Sequence, residues 1–129
     1  ALKAAMLRIL IVEDDAAQSL LIGMMLARED ITYTETHSAM EALSTLARDS
    51  NYDLILTDIR MPGMDGLDLV KVLNHLYPHI PVLTMTVHDG FGLADQAVAS
   101  GAAACLIKPF AGADLIRAID NVLYRQVKN

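Results

Sequence analysis

The sequence predicts an α/β domain in which five strands and five helices alternate along the chain and the strands form one parallel sheet. Two observations predict it. Short runs of β-branched residues and leucine alternate with longer segments of helical periodicity. The length of 129 residues is that of a single domain with its own core. Because connections between parallel strands are right-handed, the helices are expected on both faces of the sheet.

The predicted strands are short and apolar. The first contains the continuous apolar run Ile9–Val12, which is typical of a strand covered on both faces. The predicted strands are Leu7–Val12, Ile31–Thr36, Leu54–Thr57, Val82–Thr86 and Cys105–Ile107.

A helical pattern follows each predicted strand. In the first helix, for example, Leu21 and Met25 lie four residues apart and therefore share a face. The fourth helix is rich in alanine and has the weakest pattern. The predicted helices are Ala16–Arg28, Ser38–Asp49, Gly66–Tyr77, Gly92–Ser100 and Asp114–Val127.

Local signals mark several helix ends. Asp15 is predicted to cap the first helix with Gln18 as its reciprocal partner, and Asp65 to cap the third. The third helix is expected to end before Pro78, because the residue before a proline disfavours helical conformation. Gly101 is the predicted stop of the fourth helix.

Composition excludes several classes of protein. The net charge is -6 and the basic residues are scattered, so no basic surface for nucleic acid is expected. The single Cys105 excludes an internal disulfide and a cysteine-based metal site. The longest uncharged stretch, Val72–His88, contains two prolines and is not a membrane span. With only the short apolar run Ile9–Val12 near the start, no signal peptide is predicted, and a cytoplasmic protein is expected.

Four of the predicted strands have polar residues at or directly after their carboxyl ends. Glu13 and Asp14 follow the first strand, Asp58 follows the third, Thr86 ends the fourth and Lys108 follows the fifth. In parallel sheets these carboxyl ends share one edge, where ligands bind. If the first and third strands are neighbours, Asp14 and Asp58 face each other across the crevice.

Such a cluster of acids indicates a cation site. Neighbouring carboxylates repel each other, and hard oxygen ligands in an open site suit Mg²⁺. An aspartate beside Mg²⁺ can act as a nucleophile towards a phosphoryl donor. Lys108 could neutralise the phosphoryl oxygens and Thr86 could donate a hydrogen bond to one of them.

Four segments resemble receiver domains of bacterial two-component response regulators, most closely the nitrogen-regulation type. They are Ile9–Asp15, Asp53–Gly66, Pro81–Thr86 and Lys108–Phe110. The resemblance covers about residues 6–124. It implies a flavodoxin-like, doubly wound (βα)5 three-layer sandwich with a five-stranded parallel sheet in the order 2-1-3-4-5. The receiver domain is expected over residues 6–129, and residues 1–5 are expected to be an N-terminal extension or a cloning remnant.

The resemblance also implies a metal site and a phosphoacceptor. Asp58 is expected to accept a phosphoryl group from a sensor histidine kinase or a phosphotransfer protein. Asp14 and Asp58 are expected to bind Mg²⁺ directly. Glu13 is expected to bind it through water, and Arg60 through its backbone carbonyl.

The resemblance also implies how the domain changes conformation on phosphorylation. Thr86 is expected to turn towards the phosphoryl group. Lys108 is expected to contact another phosphoryl oxygen, and the Lys108–Pro109 peptide bond that positions it is expected to be cis. The fourth helix, fifth strand and fifth helix, residues 89–127, are expected to change and to act on an effector domain or a downstream protein. The domain would be regulatory, catalysing only its own phosphorylation and slow dephosphorylation. The sequence does not decide between a monomer and a homodimer that forms on phosphorylation.

Two positions depart from the family pattern, and two others have a tuning role in the family. Cys105 stands where the family usually has a tyrosine or phenylalanine that follows the threonine, so the aromatic part of the switch is in doubt. Cys105 itself is predicted to be a buried strand residue. Val87 stands where a small residue is usual and is expected to slow phosphorylation by small donors. Arg60 and His88 occupy positions that tune the lifetime of the phosphorylated state.

Two other functions stay open at this point. One is a phosphatase or phosphotransferase resembling the haloacid dehalogenases, which would need a second aspartate where Arg60 stands. The other is a pseudo-receiver, an interaction module that works without phosphorylation. The presence of all five site residues argues against the second alternative, but Val87 and Cys105 keep it open.

Overall fold

The computed structural model describes residues 6–28, 30–87 and 92–128, with side chains described up to residue 124. Five strands and five helices alternate in these ranges. The strands are β1 (Leu7–Val12), β2 (Ile31–Thr36), β3 (Leu54–Asp58), β4 (Val82–Val87) and β5 (Ala104–Lys108). The helices are α1 (Ala16–Met25), α2 (Ala39–Arg48), α3 (Gly66–Leu76), α4 (Leu93–Ala99) and α5 (Gly112–Lys128).

The strands form one parallel sheet in the order β2-β1-β3-β4-β5. The predicted fold class and strand order are confirmed. The winding reverses between β1 and β3, so a crevice opens at the carboxyl ends of these two neighbours.

Buried side chains alternate between two cores along each central strand. In β1, Leu10 and Val12 pack against the core beneath α2, α3 and α4. Ile9 and Ile11 pack against the core beneath α1 and α5. All four side chains are fully buried, which explains why β1 has an apolar run in place of an alternating pattern.

Three strands extend one residue further at their carboxyl ends than predicted. They end at Asp58, Val87 and Lys108, because the ladder continues through the pairs Asp58–Met85 and Val87–Lys108. The polar residues at this edge therefore belong to the sheet, and its hydrogen bonds fix their backbone.

α1 is shorter than predicted. It ends at Met25 with Leu26 as its cap, whereas the sequence predicts a helix to Arg28. The guanidinium of Arg28 pairs with Asp30 at 2.9 Å and with Asp120 of α5 at 3.4 Å, so Arg28 belongs to the turn into β2. α5 begins two residues earlier than predicted, at Gly112.

The predicted helix caps form, with one different partner. Asp15 accepts hydrogen bonds from the amides of Ala17 and Gln18 at 2.9 and 3.1 Å. Its own amide donates to Glu13 Oε2 at 3.3 Å, so Glu13 takes the reciprocal role predicted for Gln18. Asp65 caps α3 through the amide of Asp68 at 2.9 Å.

No helix in the described part of the chain has both the length and the apolar character needed to span a membrane. The predicted N-terminal extension, residues 1–5, lies outside the described residues.

Candidate functional site

The site lies where β1, β3 and β5 end. Val12 pairs with Thr57, so Glu13 leaves the sheet next to Asp58. Lys108 ends β5, two strands away from Asp58, and its long side chain crosses β4 to reach the crevice. The sheet thus brings together residues that are 45 to 95 positions apart in sequence.

Lys108 links two of the acids. Its Nζ lies 2.9 Å from Glu13 Oε1 and 3.2 Å from Asp58 Oδ2. The side chain of Glu13 is 1% exposed, that of Asp58 14% and that of Lys108 17%. An ion pair this well shielded is screened little by salt.

Burial and charge shift two pKa values in this group. Burial raises the pKa of Glu13 above its ordinary 4.5, and the charge of Asp58 adds to this, although the hydrogen bond from Lys108 opposes it. Burial acts to lower the pKa of Lys108, but the hydrogen bond to Glu13 and the charge of Asp58 outweigh it and the pKa is raised. Lys108 is therefore firmly cationic, while the acids carry more negative charge than it neutralises.

Carboxylate oxygens of Glu13, Asp14 and Asp58 lie within 4.8 Å of one another. At that separation two carboxylates repel by roughly 3 kcal/mol at an effective dielectric of about 20, and by less where Asp14 faces water. Hard carboxylate oxygens at the mouth of an open crevice suit a small divalent cation. The residues present therefore fit the metal site that the sequence predicts.

The segment after Asp58 is held close to β3. The amide of Arg60 donates to Asp58 Oδ1 at 3.3 Å, and the amide of Gly66 donates to the carbonyl of Ile59 at 2.6 Å. A Cβ at Gly66 would overlap the carbonyl oxygen of Asp58, so only glycine allows α3 to begin here.

Thr86 is 1% exposed in β4. Its Oγ1 is buried and has no hydrogen-bond partner among the described residues. Leaving such a hydroxyl without a partner costs about 1–3 kcal/mol, so a nearby acceptor would be favourable.

His37 is a site residue that sequence reasoning missed. Its Nδ1 lies 3.0 Å from the backbone carbonyl of Glu13, and since a carbonyl can only accept, Nδ1 carries the hydrogen. The histidine shows no ligand spacing in the sequence, and only the pairing of β1 with β2 brings it there. No sequence signal could have found this contact.

The structure confirms some of the remaining sequence predictions at this site and contradicts one. The Lys108–Pro109 bond is cis, as expected. Val87 is 57% exposed and lines the cavity next to Asp58. Cys105 is half-buried, so the prediction that it is buried is wrong; it packs against one of the two cores, but β5 is the edge strand and has a neighbouring strand on one side only. His88 lies outside the described residues.

Together the fold and the acidic crevice define a signalling domain of the receiver class. The family model described as the response regulator receiver domain matches residues 9–120, and the chain belongs to this family.

Relatives agree with that assignment. The chain is 39% identical over 103 residues to the response regulator protein FleR of Pseudomonas aeruginosa, covering 80% of this chain and 22% of FleR. It is 39% identical over 100 residues to the DNA-binding transcriptional regulator NtrC of Escherichia coli, covering 78% of this chain and 21% of NtrC. The chain therefore spans about a fifth of the length of these curated relatives.

A solved structure supports the same fold. The response regulator receiver domain protein from Clostridium thermocellum superposes with a TM-score of 0.86 at 28% identity. The match covers 94% of this chain and 97% of that one. The likeness to NtrC bears out the resemblance to the nitrogen-regulation type.

Proposed function

We propose that the chain is a phosphorylation-controlled switch in which Asp58 accepts a phosphoryl group from a sensor histidine kinase or a phosphotransfer protein. The observation that supports this most directly is the position of Asp58. Its carboxylate lies at the mouth of a cavity, between the acids Glu13 and Asp14 and 3.2 Å from Lys108 Nζ.

Mg²⁺ is the cation proposed for the acidic cluster. Asp14 and Asp58 would bind it directly, Glu13 through water, and Arg60 through its carbonyl. When bound, the cation supplies positive charge against the phosphoryl oxygens and relieves the repulsion among the three acids. Burial is the main cause that raises the pKa of Glu13, and the neighbouring charge of Asp58 adds to it, so a cation beside these two carboxylates would be favourable.

Transfer needs a nucleophile and a positive charge on the phosphoryl oxygens. One Asp58 carboxylate oxygen forms the new bond to phosphorus as the phosphorus–nitrogen bond of a phosphohistidine breaks, and the imidazole nitrogen keeps that electron pair. Lys108, which already contacts Asp58, binds a phosphoryl oxygen of the product. Thus the chain catalyses its own modification and turns over no separate substrate.

Thr86 would convert the modification into a structural change. Its buried hydroxyl has no partner in the described residues and would gain one in the phosphoryl group. Thr86 pairs with Ile107 of β5, so its movement reaches the face formed by α4, β5 and α5. Asp89, the predicted start of this readout face, lies outside the described residues.

The proposed output is a partner that reads this face, either an effector domain or a separate protein. FleR is a response regulator and NtrC a DNA-binding transcriptional regulator, so control of transcription is the output that the relatives favour. We place the switch in the bacterial cytoplasm, as a receiver domain over residues 6–129, with no membrane or nucleic acid contact of its own. A homodimer that forms on phosphorylation stays a prediction.

Intact-protein mass spectrometry after incubation with Mg²⁺ and phosphoramidate tests the proposal. We expect one phosphoryl adduct that requires Mg²⁺ and disappears in Asp58→Asn. Asp53→Asn is the matched control, because Asp53 precedes the same strand at its opposite end. An adduct that persists in Asp58→Asn would contradict the assignment of the acceptor.

A pseudo-receiver is the alternative function. Its support is Val87, whose exposed side chain stands at the cavity beside Asp58 and restricts access. If neither phosphoramidate nor beryllium fluoride with Mg²⁺ changes the mass or the NMR spectrum, this alternative replaces the switch.

A further inference from the structure

The cavity at Asp58 has a volume of about 580 Å³ and is larger than the acidic site. One end carries Glu13, Asp14, Asp58 and Lys108. Asp15 and Gln18 also line the cavity, and an apolar wall comes from α1 and from the turn after β5. The apolar side chains of this wall are Leu21, Ile22, Met25, Pro109 and Phe110.

The apolar end is open to solvent. Leu21 is 45% exposed, and Met25 and Phe110 are half-buried, so a ligand there would remove apolar surface from water. α1 carries no charged residue over its whole length. Among the described residues that line the cavity, Lys108 is the only cation, and it is already engaged by Glu13 and Asp58.

A cavity with one polar end and one apolar wall, of this volume, fits a small molecule with the same division. The charged end is suited to a phosphoryl group, as proposed above. The remainder of the ligand then lies against the apolar wall. A leaving group with a second negative charge is disfavoured, because no free cation of the lining would meet it.

We propose that acyl phosphates with apolar acyl chains of about four carbons are direct phosphodonors of this chain, used in preference to acetyl phosphate. The inference rests on the proposed phosphoacceptor role of Asp58. One Asp58 oxygen forms a bond to phosphorus, the phosphorus–oxygen bond to the acyl group breaks, and the carboxylate leaves with that electron pair. Charge and atoms balance without a further reactant.

Leu21 is the residue that sets this preference. It lines the cavity and keeps much of its side chain exposed, so it offers apolar surface that an acyl chain would cover. Burying one methylene is worth about 0.8 kcal/mol, or about fourfold in rate if the contact persists in the transition state. Two additional methylenes then give at most about 15-fold, and about fourfold if half of that surface stays in contact with water.

The first test compares three donors at equal concentration with Mg²⁺, following the adduct by intact mass. Acetyl and butyryl phosphate have leaving groups of similar acidity and differ in two methylenes. Succinyl phosphate has the length of butyryl phosphate but ends in a carboxylate. We expect butyryl phosphate to react about 4–15-fold faster than acetyl phosphate, and succinyl phosphate no faster than acetyl phosphate.

Neighbouring leucines of α1 provide a matched pair of variants. Leu21→Gln removes apolar wall and is expected to lower the butyryl-to-acetyl rate ratio towards one. Leu20→Gln changes a residue that is 60% exposed and is not part of the cavity lining, so the ratio should stay as in the wild type. A ratio that falls equally in both variants would overturn the role of Leu21.

A binding measurement separates this inference from the proposed function. Butylphosphonate and methylphosphonate cannot transfer a phosphoryl group, and their binding with Mg²⁺ is followed through methyl NMR signals of Leu21, Ile22 and Met25. If butylphosphonate binds more tightly than methylphosphonate but no acyl phosphate gives an adduct, the apolar wall binds the chain as inferred, and the proposal that Asp58 accepts a phosphoryl group is refuted. Equal rates for acetyl and butyryl phosphate would refute the preference and leave the phosphoacceptor standing.

Discussion

At the scale of single residues, the site depends on side chains whose neighbours are distant in sequence. Lys108 contacts Glu13 and Asp58 at once, so one cation from a third strand pairs with two acids. Removing this cation would leave a buried carboxylate without its partner, which is costly. Lys108 is therefore a structural residue of the crevice as well as the proposed contact for a phosphoryl group.

His37 is predicted to position the metal-binding loop. Its hydrogen bond holds the carbonyl of Glu13 and with it the start of the loop that carries Asp14. Because one hydrogen bond contributes about 0.5–1.5 kcal/mol, His37→Ala should weaken Mg²⁺ binding about 2–10-fold. Mg²⁺ titrations followed by NMR would measure this.

Two further variants control for the loss of a histidine. His37→Asn keeps a donor near the same carbonyl and is expected to recover part of the affinity. His79→Ala removes an exposed histidine from the loop before β4, at the opposite edge of the sheet. If His79→Ala weakens binding as much as His37→Ala does, the positioning role is wrong.

At the scale of elements, the site is shaped by where strands stop and helices start. β3 ends at Asp58, and α3 returns at Gly66 to contact the same backbone. α1 begins one residue after the cap Asp15, whose amide is held by Glu13. Helix starts and strand ends therefore fix the loops that carry the acids.

Two glycines between the end of β3 and the start of α3 test this arrangement. Gly66→Ala forces a Cβ into the carbonyl of Asp58 and should lower the free energy of unfolding by about 2–3 kcal/mol. Gly63 has a φ of 76° but no atom within 4 Å of an added Cβ, so Gly63→Ala should lower it by about 1 kcal/mol. Urea unfolding gives both values.

The same pair separates a local from a general effect. The amide NMR signal of Asp58 should shift in Gly66→Ala and stay in place in Gly63→Ala. If both variants lose the same free energy of unfolding and the amide signal of Asp58 shifts in neither, the close packing of α3 against β3 is contradicted.

At the scale of the whole molecule, the acidic crevice makes stability depend on pH. The raised pKa of Glu13 means that the folded state binds this proton more tightly than the unfolded state. Stability of the metal-free protein therefore falls as pH rises from 4.5 through the folded pKa. The raised pKa of Lys108 acts at the other end, since its contribution is complete below 10.5 and lost as pH rises through its folded pKa.

A variant without the titrating group tests the sign at Glu13. Urea unfolding of the metal-free wild type and of Glu13→Gln is compared between pH 4.5 and 7.5. We expect the wild type to lose stability relative to the variant as pH rises. Parallel pH profiles for the two proteins would show that Glu13 does not titrate differently in the folded and unfolded states.

The sequence by itself determined the alternation of strands and helices, the strand order through the family resemblance, and the residues at the strand ends. These follow from local signals: apolar runs, helical periodicity, caps such as Asp65, and motifs such as Asp53–Gly66. It also located Asp58, Asp14 and Glu13 at one edge, because parallel strands share their carboxyl ends.

Only the tertiary structure decided which of those residues touch. The reach of Lys108 to Glu13 and the contact of His37 with the carbonyl of Glu13 depend on strand register and side-chain direction. The apolar wall beside Asp58 likewise combines α1 with the turn after β5. Periodicity is a property of neighbouring positions in the chain, whereas these contacts join segments that meet only when the sheet is complete.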